Sequence, residues 1–202
     1  MAAKSVCRCC AAVVAAASIA GCVVLPTYVY LPDAAEDAPV YERCSMTPDL
    51  PAGVRLERSG LHAIVSIAHS QGVNQVQVQF DVPEGLTLVL REHAIAVDAR
   101  DGGAPRRATI SHINPVAPAR DPETPVMQKL VLPVDTPLRG GRIEAGNLSS
   151  DKHYWIAAPV KGDLDGDMWI SLPEVSVDGT SVRFPEIKFT RRFAIGKGLF
   201  NC

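Results

Sequence analysis

The residue types most able to hold a ligand are concentrated in one short stretch, Asp163-Leu164-Asp165-Gly166-Asp167, followed by Glu174. Counting Asp163 as the first position, carboxylates fall at positions one, three, five and twelve. Hard oxygen donors at that spacing wrap Ca²⁺ in helix–loop–helix calcium loops. Two features oppose the reading here. The sixth position, where such loops need glycine for a sharp turn, is Met168. The run Met168-Trp169-Ile170-Ser171-Leu172 has strand character, and a strand carries Glu174 away by about 3.3 Å per residue. The competing expectation is an acidic β-turn, with calcium at Asp163, Asp165, Asp167 and Glu174 as the one metal reading the spacing offers.

Other chemistry finds less support. The histidines, His62, His69, His93, His112 and His153, are scattered and form no His-x-x-x-His pair. No Gly-x-Ser-x-Gly elbow, Ser-x-x-Lys or phosphate-binding glycine loop occurs. Among the 202 residues, 20 are basic and 22 acidic, a balance that excludes a strongly basic nucleic-acid binder. The basic residues Arg183, Lys188, Arg191, Arg192 and Lys197 nevertheless gather near the C-terminus against the single acid Glu186. They are either a solvated strand face or a rim for membrane phosphates or another envelope polymer.

The N-terminus is an address. Lys4 and Arg8 precede an apolar stretch from Cys9 to Ala20, and Ile19-Ala20-Gly21-Cys22 follows the pattern aliphatic, small, Gly or Ala, Cys. These residues resemble the lipobox of bacterial lipoproteins. The resemblance implies cleavage before Cys22, a diacylglyceryl group on its thiol and an acylated amine. Two or three acyl chains hold a protein stably on a bilayer, where one holds it marginally. Val23 and Val24 follow Cys22 with no Asp. By the enteric sorting rule for lipoproteins, that absence implies the outer membrane over the inner. Leu172-Pro173, Val177-Asp178-Gly179, Phe184-Pro185-Glu186-Ile187 and Asn201-Cys202 resemble small Gram-negative envelope lipoproteins, a likeness that implies no activity.

Cysteine usage fits export. Cys7, Cys9 and Cys10 lie in the leader and Cys22 takes lipid, leaving Cys44 and Cys202. Two thiols in an oxidising compartment are a natural pair, so a Cys44–Cys202 disulfide is expected. Free thiols or a bond to another chain are the alternatives.

The elements that must position these residues read as strands. Val76-Gln77-Val78-Gln79-Phe80-Asp81-Val82 alternates with period two, as a strand does with one covered face. Val54–Arg58, Leu61–Ala68, Leu86–Leu90, Ala94–Ala99, Ala108–Ile113, Lys129–Val134, His153–Ile156, Met168–Leu172, a Val175–Phe184 hairpin and Ile187–Ile195 complete the set. Leu61–Ala68 is apolar enough to expect cover on both faces. Asp178-Gly179 and Asp101-Gly102-Gly103 are turn signals. The prolines between 114 and 125 predict an irregular connection. No sustained 3.6-residue apolar period occurs beyond the leader, so the expected fold is an all-β antiparallel sandwich. An Ig-like arrangement is the first choice, with a transthyretin-like sandwich or a barrel as alternatives. The expected organisation is a leader at 1–21, a lipidated tether at 22–43 and a single domain at 44–202. Pro26, Pro32 and the acidic run Asp33–Asp37 suggest the tether, while Tyr28 and Tyr30 leave room for a short strand or a lipid-side contact. Together these features predict a non-catalytic envelope lipoprotein that meets a protein or polymer partner, with a hydrolase or small-ligand carrier on the same fold as the alternative.

Overall fold

The computed structural model describes residues 25–33, 38–41, 49–70, 73–116, 131–145, 148–162, 164 and 166–196. Cys22, Cys44, Asp163, Asp165, Lys197 and Cys202 lie outside the described residues. Every strand pairing is antiparallel, and no described residue is helical.

The largest sheet is built on β3 (Pro51–Arg58), β4 (Leu61–Ser70), β5 (Val73–Val82) and β12 (Leu148–Val160). Its order is β11-β12-β5-β4-β3-β2, where β2 is Ala38–Tyr41 and β11 is Arg142–Ala145. β9 (Asn114–Val116) pairs with β12 beside β11. A second sheet runs β1-β16-β13-β7-β8, with β1 Leu25–Pro32, β7 Ala94–Asp98, β8 Arg106–Thr109, β13 Met168–Ser171 and β16 Ile187–Gly196. A small third sheet runs β10-β6-β14-β15, with β6 Thr87–Leu90, β10 Leu138–Arg139, β14 Val175–Val177 and β15 Thr180–Val182. Among the described residues no sheet closes on itself, so the barrel alternative does not apply and the architecture is a sandwich.

Period-two alternation explains the core. Val76, Val78, Phe80 and Val82 of β5 are all buried, as are Leu61, Ala63 and Val65 of β4 and Ile156, Ala158 and Val160 of β12. They meet Ile95, Val97, Met168, Ile170, Ile187 and Phe189 from the second sheet and Leu88, Leu90, Val175 and Val177 from the third in one cluster. Burying a side chain of this size contributes about 1.5–3 kcal/mol, so the inner faces hold the sheets together. Two-residue turns set the hairpin registers. Ser59 and Gly60 (φ 52° and 74°) join β3 to β4, and Asp178 and Gly179 (φ 49° and 86°) join β14 to β15. Two successive left-handed residues make the turn whose twist matches paired strands.

Three expectations need correction. Leu25–Pro32 is a strand, not a tether: it pairs with β16 over eight positions and buries Tyr30. With β2 also joined to β3, the folded body starts well before residue 44. Prolines 26 and 32 are tolerated because β1 is an edge strand. Next, β4 is covered on one face only. His62, Ile64 and Ser66 on its other face are half-buried. Finally, the strand expected at Ala108–Ile113 ends at Thr109. Ile113 bridges to Leu132, and Asn114–Val116, expected to be irregular, is itself an edge strand on β12.

Candidate functional site

Asp167 and Glu174, the two described members of the acidic set, are each engaged elsewhere. The Asp167 carboxylate lies 2.9 Å from Lys188 Nζ, and that hydrogen bond holds its pKa below the ordinary value. Glu174 accepts from Ser181 Oγ at 2.7 Å and from Arg183 Nε at 2.6 Å. Those bonds, Ser181 first, lower its pKa. Among the described residues no three His, Cys, Asp or Glu side chains come together as metal ligands. The basic cluster is also divided. Arg183 faces Glu174, Lys188 faces Asp167, and the Arg191 guanidinium stacks 4.0 Å above the Tyr28 ring. Successive residues of β16 point to opposite sides, so Lys188 and Arg192 share one face and Arg191 lies on the other.

The structure assembles two arrangements that the residue spacing did not show. On the outer face of the large sheet, cross-strand pairing aligns Glu57, His62, Asp81 and His153 in one row over β3, β4, β5 and β12. His153 Nδ1 is 2.7 Å from Asp81 Oδ1, and Gln79 Nε2 donates to that oxygen, also at 2.7 Å. The carboxylate accepts, so Nδ1 carries the proton and a neutral His153 keeps its Nε2 lone pair free of that bond. Asp81 is 7% exposed although it lies on the polar side of β5. His62 Nε2 approaches Glu57 Oε2 more loosely, at 3.4 Å. Trp155 and Ile64 share this face one row along. The row alternates carboxylate and imidazole, an arrangement suited to orienting a proton or presenting a polar surface. The His62–Asp81 neighbourhood follows from neighbouring strands. His153 arrives from 72 residues away, and only the β5/β12 register reveals it.

The second arrangement is the β1/β16 ribbon. β13 runs beside β16 only from Ile187 to Phe189, whereas β1 pairs from Phe189 to Gly196. The ribbon therefore overhangs the sheet. Its near end is fixed by Tyr30, whose hydroxyl donates to the Leu164 carbonyl at 2.6 Å, and β1 packs on β3. Its far end exposes Tyr28, Phe193 and Ile195 on one face. Tyr28 and Phe193 meet edge to face at 5.7 Å, a favoured aromatic geometry. On the opposite side of the second sheet, Trp169 lies under the Arg100 guanidinium at 4.0 Å, with Lys188 Nζ at 5.5 Å. Glu186 neutralises Arg100 and Asp167 neutralises Lys188. That cluster is internally balanced and reads as sheet-face packing.

Comparison with protein-family models, with curated proteins and with solved structures returned no match.

Proposed function

We propose that this chain is a non-catalytic, lipid-anchored module of the bacterial cell envelope, acylated at Cys22 and retained at the outer membrane. It presents its outer sheet surface to an envelope protein or polymer. The observation that carries this reading is the distance between anchor and fold. Leu25, three residues after Cys22, already opens a strand paired along its whole length with β16. Three residues span at most about 11 Å, so acyl chains on Cys22 would hold the sandwich itself at the bilayer surface. The half-buried polar face, with Trp155, Gln79 and the Glu57–His62–Asp81–His153 row, supplies the side chains a partner would contact.

Intact-mass measurement of the membrane-extracted protein tests the anchor. A mass raised by diacylglyceryl and acyl groups on a chain beginning at Cys22 is expected, with Cys22→Ser shifting the protein to the soluble fraction. An unacylated native chain, or a Cys22→Ser variant that stays with membranes, overturns the proposal. Non-reducing peptide mapping of the same material should recover Cys44 joined to Cys202.

The alternative, an envelope hydrolase or small-ligand carrier, draws on the Asp81–His153 pair, since an imidazole oriented by a buried carboxylate is a general-base arrangement. Turnover of an ester or amide substrate that is lost in His153→Gln would replace the non-catalytic reading. Calcium at Asp163, Asp165, Asp167 and Glu174 belongs to the same question, and equal calorimetric heats for wild type and Asp165→Ala would remove it.

A further inference from the structure

The overhang of β1 and β16 has no need of exposed aromatic residues for its own pairing. Tyr28 is 55% exposed, Phe193 60% and Ile195 64%. Scattered exposed apolar side chains are ordinary on a protein surface, but a cluster on one face marks a contact surface. These three share a face because Tyr28 pairs with Phe193, and Pro26 with Ile195, in the same register. Tyr28 combines an apolar ring with a polar tip, as interfacial aromatics do. Arg191 lies flat on that ring, so a cation sits beside the apolar patch. Arg192 is exposed on the opposite face of the same strand.

The position of the patch identifies its occupant. Leu25 pairs with Gly196, so the end of the ribbon that carries Ile195 is also the end nearest Cys22. Tyr28 is the sixth residue after Cys22, at most about 22 Å of chain away. The leash is short enough to keep the ribbon tip at the surface to which Cys22 is attached. An apolar face with aromatic residues and an adjacent arginine, Arg191, matches a bilayer boundary, where side chains enter the headgroup region and cations meet phosphate.

We infer that the β1/β16 tip is a membrane-contact surface: Tyr28, Phe193 and Ile195 enter the headgroup boundary of an anionic bilayer, with Arg191 at phosphate depth. The contact deepens the anchoring proposal and rests on it, since the acyl groups deliver the tip to the surface. Its consequence is orientation. The lipid alone is a swivel, and a second contact on the ribbon fixes which sheet face looks away from the membrane.

The test uses the acylated chain isolated from membranes and placed one copy per nanodisc of anionic lipid, followed by hydroxyl-radical labelling. Tyr41, at 56% exposure, matches Tyr28 and serves as the internal reference, with Trp169 on the far face as a second. Labelling of Tyr28 and Phe193 should fall at least about fivefold relative to both references, as expected for side chains sunk in the headgroup region. In lipid-free solution the Cys22→Ser chain should label Tyr28 and Tyr41 within about twofold of each other, because their exposures match. Equal labelling in the discs overturns the inference. Protection already present in the lipid-free chain also overturns it, because the chain's own ends or a second copy then cover the patch.

Failure of the anchor is read separately, from an intact mass without acyl groups. In that case the unacylated chain is sedimented with phosphatidylglycerol and phosphatidylcholine vesicles. Binding that prefers the anionic vesicles and falls about tenfold in Tyr28→Ser/Phe193→Ser, with circular dichroism unchanged, sustains the contact surface. Binding unaffected by the double substitution, or absent from both vesicles, overturns it.

Discussion

Removing one hydroxyl, in Tyr30→Phe, tests whether β1 belongs to the fold. Tyr30 is 8% exposed and its hydroxyl reaches the carbonyl of Leu164, itself 5% exposed, at 2.6 Å. Phenylalanine keeps the ring and so opens no cavity. It leaves the Leu164 carbonyl without that donor, in a place where water does not readily replace it. An orphaned buried acceptor costs about 1–3 kcal/mol. For a chain of this size each kcal/mol moves the melting midpoint by about 2–4 °C, so a loss near 2 kcal/mol appears as about 4–8 °C. Urea unfolding of the mature chain should show a lower midpoint with the slope unchanged, because the same surface is exposed in both proteins. Tyr28→Phe on the same strand is the control. Its ring is more than half exposed, and substitutions at such sites stay within about 0.5 kcal/mol. Hydrogen exchange adds location: the β1 amides should lose protection in Tyr30→Phe along with the strands they join. Coincident unfolding curves for wild type and Tyr30→Phe would refute the reasoning, and β1 would then be a strand laid on the sandwich without being tied into its stability.

Further outcomes follow from local geometry. Gly140→Ala should destabilise the domain by about 1–3 kcal/mol or more, read as a lower urea midpoint, since a Cβ there would lie 1.7 Å from the Pro83 carbonyl oxygen and backbone offers no easy escape. Asp178→Ala should cost about 1 kcal/mol in the same assay, because the Asp178 carboxylate accepts from the Thr87 amide at 2.9 Å and ties the β14/β15 turn to β6. Asp167 has a lowered pKa in the folded state, caused first by the Lys188 hydrogen bond. Its contribution is therefore present above the ordinary carboxylate value of 3.8 and disappears as pH falls through the lower folded value. Asp167→Asn should be less stable than wild type near pH 6 and equal to it once the pH has passed below that folded value; a gap that does not close in acid would contradict the assignment.

The alternation of Val76 to Val82 was legible in the sequence because period two is local, and so were the Asp178-Gly179 turn and the all-β class. The largest error has a long-range cause. Pro26 and Pro32, followed by an acidic run, look like a linker, and what makes Leu25–Pro32 a strand is the partner β16, more than 150 residues away. Long-range pairing likewise turns scattered histidines into a row with Asp81. Ile187, Phe189, Phe193 and Ile195 lie on one face of β16, with Arg191 between the two pairs. The structure buries the first pair and exposes the second. Arg191 interrupts the apolar alternation between the pairs, and β13 accompanies β16 only as far as Phe189. Past Phe189 the same face of β16 carries exposed side chains of core type, Phe193 and Ile195. These side chains lie at the end of the ribbon nearest Cys22 along the chain, so the same alternation that builds the sandwich interior supplies, further out along β16, the surface that the proposed membrane contact would use.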